Sequence, residues 1–319
     1  MAELPKRLAG LSPERRRLLD RLLARTEEPT PRLAHAEASN THALAATTPH
    51  KEECTRFYDE INERLDASVF GPFSLFLNFG YVPDGSPTAS VVELPEHCLN
   101  KNSLRLVVEV IGDCDLKGRR VLDIGCGRGG AVSAIEQFFE PKSVCGVDLS
   151  PAAIAFCRAT HRRDGMSFCV GDAERLSFDD ESFDVVINIE SSQTYPDIQA
   201  FYRQVFRVLA PGGHFLYTDA MSVERFAECG VSLQGTGFLL EHDRDITSNV
   251  LRSCDEIAGY RMQAYGTTPR DDGMEDFLGT PGSHFYQAMK TGAWTYRIQA
   301  WKKGTAGTPA GSAGVSGGK

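Results

Sequence analysis

Leu122-Asp123-Ile124-Gly125-Cys126-Gly127-Arg128-Gly129-Gly130 is the stretch on which the reading of the fold turns. It joins a buried strand pattern, RRVLDI at 119–124, to a helical segment at Ala131–Phe139. Glycines at such a junction permit a tight turn and let backbone N–H groups approach a ligand closely. The alternation repeats outward from this point. Short apolar runs at SVCGVD (143–148), MSFCV (166–170), FDVVINI (183–189) and GHFLYTD (213–219) are separated by helical segments at 151–163 and 197–209. Strands alternating with helices predict right-handed parallel crossovers, hence a doubly wound α/β sheet with ligands at the carboxyl ends of its strands. Two more strand candidates, FLLEHDRDIT (238–247) and WTYRIQAW (294–301), flank a predicted helix at 248–265.

The glycine turn alone leaves its ligand open. Gly125, Gly127 and Gly130 satisfy G-x-G-x-x-G, and Asp148 lies at the distance of a dinucleotide site's ribose-binding acid, so an NAD-dependent dehydrogenase fits the pattern. Electrostatics favours a different ligand, because Asp123 beside the turn repels a pyrophosphate. S-adenosylmethionine has no phosphate and carries two cationic groups, which suits the acid. Asp148 ends the second strand, where a carboxylate accepts from both ribose hydroxyls, and Asp172 ends the third, where it accepts from an adenine amine. Any one of these is ordinarily a loop or capping aspartate. Three in register at successive strand ends argue for a site.

Composition narrows the partners. Of 319 residues, 34 are Lys or Arg and 43 are Asp or Glu, for a net charge of −9, a poor footprint for nucleic acid. No run is long and apolar enough for a membrane span and no signal-peptide core opens the chain, so a cytoplasmic location is expected. The nine cysteines contain no C-x-x-C pair, and several sit in apolar runs as small hydrophobes, so no metal or disulfide framework is expected. Four segments are expected: a linker helix and flexible stretch at 1–50, a helical lid at 51–118, the core at 119–303 with a substrate-side insertion after the fifth strand, and a flexible tail at 304–319. The first helix starts at Ser12-Pro13-Glu14, a capped amphipathic pattern.

Together, LDIGCGRGG, VDLS, GDAERLSFDDESFDVV and RVLAPGGHFLYTD resemble class I methyltransferases over 119–219. The flanks FYDEINERL, FLNFGYV, NIESSQTYP, RDITSNVLR and WTYRIQAWKKG are similar to O-methyltransferase domains of modular polyketide synthases and related lipid methyltransferases. The resemblance implies a Rossmann-like sheet of six parallel strands and one antiparallel, with S-adenosylmethionine as donor and S-adenosylhomocysteine as product. It also implies methylation of a β-hydroxyl on an intermediate held by an acyl carrier protein, among neighbouring polyketide synthase domains. Leu149, Ala173 and Ile189, beside the acids and at the fourth strand's end, are expected in the donor pocket with Asp123, Gly125, Gly127, Asp148 and Asp172. Tyr58, Asn78 and Tyr81 resemble positions that close over the donor, although Tyr58 also fits an apolar helical stripe.

An aliphatic hydroxyl is nearly as weak an acid as water, of pKa roughly 15.7, so methylating it requires a base. Glu190, just past the fourth strand, is the first expectation. The resemblance places a histidine where this chain has Gln193, and an amide holds a hydroxyl without taking its proton. Either Glu190 acts alone, another histidine enters, with His284 before His97, or the domain is weakened. His214 and the charged run at 241–245 read as structural. The competing functions are a stand-alone O- or C-methyltransferase of small molecules or lipids, and a noncatalytic domain of the same fold.

Overall fold

The computed structural model describes residues 48–85, 92, 94, 98, 100–265 and 274–304. The expected first helix, its linker, His97 and the tail beyond 304 lie outside them. Seven strands form one sheet: β1 Arg120–Ile124, β2 Ser143–Asp148, β3 Met166–Val170, β4 Phe183–Ile189, β5 Leu209–Ser222, β6 Phe238–Asp245 and β7 Trp294–Lys303. Their spatial order is β3-β2-β1-β4-β5-β7-β6. Six strands run parallel, and β7 runs antiparallel between β5 and β6. The order reverses beside β1, which opens the crevice expected of a doubly wound sheet.

The helices are α1 Pro49–Asp66, α2 Lys101–Ile111, α3 Gly130–Phe139, α4 Pro151–Thr160, α5 Ile198–Val208, α6 Val223–Thr236, α7 Thr247–Tyr265, α8 Met274–Leu278 and α9 His284–Lys290. Local chemistry starts several of them. Ser150 accepts from the Ala153 N–H at 3.0 Å ahead of Pro151, and Asp197 accepts from the Ala200 N–H at 2.8 Å. Alternate residues of each strand then face opposite layers. Val121, Val185 and Ile187 pack with α2 and α3, whereas Leu122, Val186 and Phe215 pack with Phe201, Tyr202 and Val205 of α5.

Two features differ from the sequence reading. The lid does not reach residue 118, because Leu104, Leu106, Val107, Val110 and Ile111 of α2 belong to the same core as β1. The helices α6, α8 and α9 did not stand out in the sequence. Gly230 and Gly235 weaken the helical propensity of α6, and its buried residues number only three, Phe226, Cys229 and Leu233. His214 faces Glu241 at 3.2 Å, and Asp243 pairs with Arg297 at 2.7 Å, in keeping with the structural reading of both. No helix among the described residues is long and apolar enough to cross a membrane.

What covers the crevice is α1, which rests on a small cluster of its own: Ile61 and Leu65 against Ala264, Met274 and Leu278. A single side chain from the glycine turn ties it down. Arg128, 0% exposed, donates to Asn62 Oδ1 and Asp66 Oδ1 at 2.8 Å and to the Gly71 carbonyl at 3.1 Å. Its guanidinium also lies 3.4 Å from the centre of the Phe156 ring. Arg128→Met leaves the buried Asn62 and Gly71 acceptors without their donor, so it should cost roughly 2–3 kcal/mol in urea unfolding. The residues of α1 should become the first sites of limited proteolysis, and a protease pattern unchanged from wild type would contradict this role.

Candidate active site

One cavity of about 610 Å³ lies between the carboxyl ends of β1, β2 and β4 and the underside of α1. That volume is typical of a small-molecule site. Its floor is the glycine turn. The Gly125 and Cys126 N–H groups donate to the Val147 carbonyl at 2.8 and 3.1 Å, and the Gly127 N–H donates to Asp148 Oδ2 at 2.8 Å. Gly125 has φ +74°, and a Cβ there would stand 2.3 Å from Ser191 Oγ. Only glycine meets both conditions. Ser191 is itself fixed by Asn188 Nδ2 at 2.7 Å and by the Tyr195 hydroxyl at 2.9 Å.

The site is rich in acids, two of them buried and two half-buried. Burial, with Asp148 and Cys145 nearby, pushes the Asp123 carboxyl up to about 7. Burial also raises Asp148, against the N–H bonds from Ser150 and Gly127. Asp219, at 0% exposure, is pushed by burial up to about 6 although it accepts from Ser192 Oγ at 2.7 Å and from the Gln193 N–H at 3.1 Å. Glu190 is pushed by burial up to about 7, with its Oε1 accepting from the Phe79 N–H at 2.7 Å and from the Tyr296 hydroxyl.

Two cations line the cavity among the described residues, and both are engaged. Arg128 is tied to α1, and Lys51 binds Asp172 Oδ2 at 2.7 Å and also Glu174. Burial works against the Lys51 ammonium, but these two acids outweigh it and raise its pKa. The opposite wall is aromatic. Phe57, Tyr58 and Phe277 meet edge to face at 5.4–6.1 Å, and Phe285 meets Trp294 at 4.8 Å.

Twelve expected residues line this cavity: Tyr58, Asn78, Asp123, Gly125, Gly127, Asp148, Leu149, Asp172, Ala173, Ile189, Glu190 and Gln193. Two do not. Tyr81 is 4% exposed within the main core, its ring 5.8 Å from the Arg244 guanidinium. His284 is exposed at the first position of α9 and does not line the cavity, to which its neighbour Phe285 contributes. The histidine lining the cavity among the described residues is His50 at the start of α1, its Nε2 3.1 Å from the Thr194 carbonyl. Asp172 differs from expectation in having Lys51 on one oxygen and the Glu174 N–H on the other.

Sequence reasoning missed Arg128, Lys51, Asp219, Tyr296 and the aromatic wall. Arg128 stood inside the quoted motif, but its partners are 57 to 66 residues away. These observations test the ligand. Asn78 is 8% exposed, and its Oδ1 has no hydrogen-bond partner among the described residues, which calls for a donor. The glycine floor, a set of acids without a free cation and this orphaned acceptor fit a cationic nucleoside such as S-adenosylmethionine and disfavour a pyrophosphate. In the ligand-free protein, Asp123→Asn removes a carboxyl raised from 3.8 to about 7. The wild-type penalty is absent below pH 4 and complete above pH 7, so the variant should gain up to about 4 kcal/mol at pH 8 and nothing at pH 4. Melting curves at the two pH values check this, and an equal gain at both would contradict a buried ionised Asp123.

A model of a methyltransferase domain family matches residues 122–217. The phthiotriol/phenolphthiotriol dimycocerosates methyltransferase of Mycobacterium leprae is 33% identical over 235 residues, 72% of this chain and 85% of that protein. A fatty-acid O-methyltransferase of Mycolicibacterium smegmatis is 38% identical over 182 residues, 57% of this chain and 66% of its own. Among solved structures, geranyl diphosphate C-methyltransferase from Streptomyces coelicolor superposes with TM-score 0.59 at 19% identity, covering 82% of this chain and all of the other. The [4+2]-cyclase SpnF superposes with TM-score 0.60 at 20% identity, covering 82% and 98%. At these identities the two structures speak for the fold alone.

Proposed function

The chain belongs to the class I S-adenosylmethionine-dependent methyltransferases, and from that footing we propose that it methylates a hydroxyl group on an acceptor with an apolar chain. The observation that carries this reading is one cavity that Glu190, the glycine floor and the aromatic wall line together. When bound, S-adenosylmethionine supplies a methyl group on a cationic sulfur; the acceptor oxygen bonds to the methyl carbon as the carbon–sulfur pair goes to sulfur, and the hydroxyl proton goes to the protein.

Asp148, Asn78 and the backbone of Gly125 and Gly127 are the groups that would hold the donor. Asp148 is pre-oriented for this by two N–H bonds and keeps lone pairs for ribose hydroxyls. Glu190 receives the proton. Its carboxyl, raised to about 7, is better matched to that task than an ordinary glutamate. Phe277, Phe285 and Trp294 exclude water from the acceptor side and favour an apolar chain. Two relatives named for dimycocerosates and for fatty acids support such an acceptor. The finer proposal, a β-hydroxyl on a thioester held by an acyl carrier protein, rests on the resemblance of the flanks.

Calorimetry with S-adenosylmethionine should show Asp148→Ala binding at least tenfold more weakly, the scale of a hydrogen bond to a charged group. Unchanged affinity would remove Asp148 from the site. Turnover is read by the mass gain of a long-chain hydroxy acid, offered free and as a carrier-bound β-hydroxyacyl thioester. A base must be deprotonated to act, so the rate should rise with pH through about 7. Glu190→Gln should lower it by roughly two to four orders of magnitude. Gln193→His, which supplies the imidazole this chain lacks, should raise it. No methyl gain on either acceptor form would overturn the proposal.

A further inference from the structure

The strand β7 brings a tyrosine to the acid. Tyr296 is 0% exposed, pairs in register with Ala220 of β5, and directs its hydroxyl onto Glu190 Oε1. The Phe79 N–H reaches the same oxygen at 2.7 Å. Two donors therefore share Oε1, and among the described residues neither reaches Oε2. The backbone of Glu190 is held as firmly. It sits at φ +52°, a left-handed conformation costly for a residue with a side chain, and its N–H donates to the Thr218 carbonyl at 2.9 Å. Thr218 Oγ1 in turn donates to the Arg297 carbonyl of β7 at 2.8 Å. Strand β5 thus holds the backbone of this residue and β7 its carboxylate.

We infer that Tyr296 is a positioning residue: with the Phe79 N–H it holds Oε1 of Glu190 so that Oε2 is presented to the acceptor hydroxyl, an inference that rests on the reading of Glu190 as the base. The carboxylate is surrounded by Tyr296 on β7, Asp219 on β5, Tyr58 on α1, and Arg261 and Cys254 on α7. Arg261 favours the charged form while it donates to the Asn78 and Leu278 carbonyls, and Asp219 opposes it. Against burial, the Tyr296 hydroxyl makes the largest opposing contribution and Phe79 the next. Tyr296 therefore sets both the direction of Oε2 and the pH at which it becomes a base.

Tyr296→Phe keeps the ring and removes one donor to a carboxylate. Such a bond favours the ionised form, so losing it should raise the Glu190 pKa by about one unit or more. Two readouts follow this. The carboxyl band in infrared difference spectra of the ligand-free protein, identified by its loss in Glu190→Gln, should titrate at higher pH in the variant. The rising limb of the kcat profile should move by the same amount, giving about a tenfold loss below the limb that recovers at high pH. A 3-fluorotyrosine placed at 296 is a stronger donor of nearly the same volume, and it should move both readouts downward. An infrared titration unmoved in a folded Tyr296→Phe protein and in the fluorinated protein overturns the inference. If Glu190→Gln keeps full turnover, the base reading falls and this inference falls with it. The infrared titration tells the two failures apart, because it needs no turnover.

Discussion

Four carboxyl groups, the buried Asp123 and Asp219 and the half-buried Asp148 and Glu190, crowd the carboxyl ends of β1, β2, β4 and β5, and the cations nearest them are committed elsewhere. A cluster of like charges in a poorly solvated space costs free energy that a protein sheds by protonation or by a bound cation. The raised pKa values express the first route. The cavity above Asp123 and Asp148 offers the second, since a donor bearing an ammonium and a sulfonium supplies the missing charge without displacing either Lys51 or Arg128. The same field disfavours a nicotinamide dinucleotide, whose pyrophosphate adds negative charge to a site already saturated with it.

Closure of the crevice depends on the two engaged cations. Arg128 ties α1 to the turn that forms the cavity floor, so roof and floor share one residue. Lys51 ties the start of α1 to Asp172 and Glu174 beyond β3. Ser150, the cap of α4, donates to Asp59 in the middle of α1 at 2.5 Å. These are three polar links along one helix, and each is anchored at the carboxyl end of a sheet element. The roof is therefore registered by the same residues that shape the site below it.

The sheet was legible because parallel strands buried on both faces read as short continuous apolar runs, and β2, β3 and β4 begin and end where those runs do. The cavity floor was legible for a related reason, since Asp123, Gly125, Asp148, Leu149, Asp172 and Ile189 all lie within two positions of a strand end. Tyr81 misled because an asparagine-aromatic-glycine-aromatic run looks like a polar site whether it faces a cavity or a core, and here only its first half faces the cavity. His284 misled because proximity in sequence to the last strand does not place a side chain: one position separates it from Phe285, which does line the wall. The aromatic wall could not be read at all. It joins residues 57–58, 277, 285 and 294, drawn from three helices and a strand without any common spacing.

A shared fold does not by itself distinguish methyl transfer from other chemistry, since a [4+2]-cyclase and a C-methyltransferase superpose on this chain almost equally well. The distinction has to come from side chains at the open end of the crevice. In this protein β7 contributes two such side chains: inserted antiparallel between β5 and β6, it presents Tyr296 to Glu190 and Trp294 to the aromatic wall of the cavity from residues two apart on the same face. The donor to Glu190 and the aromatic wall are thus set at a fixed separation by the pleat of one strand.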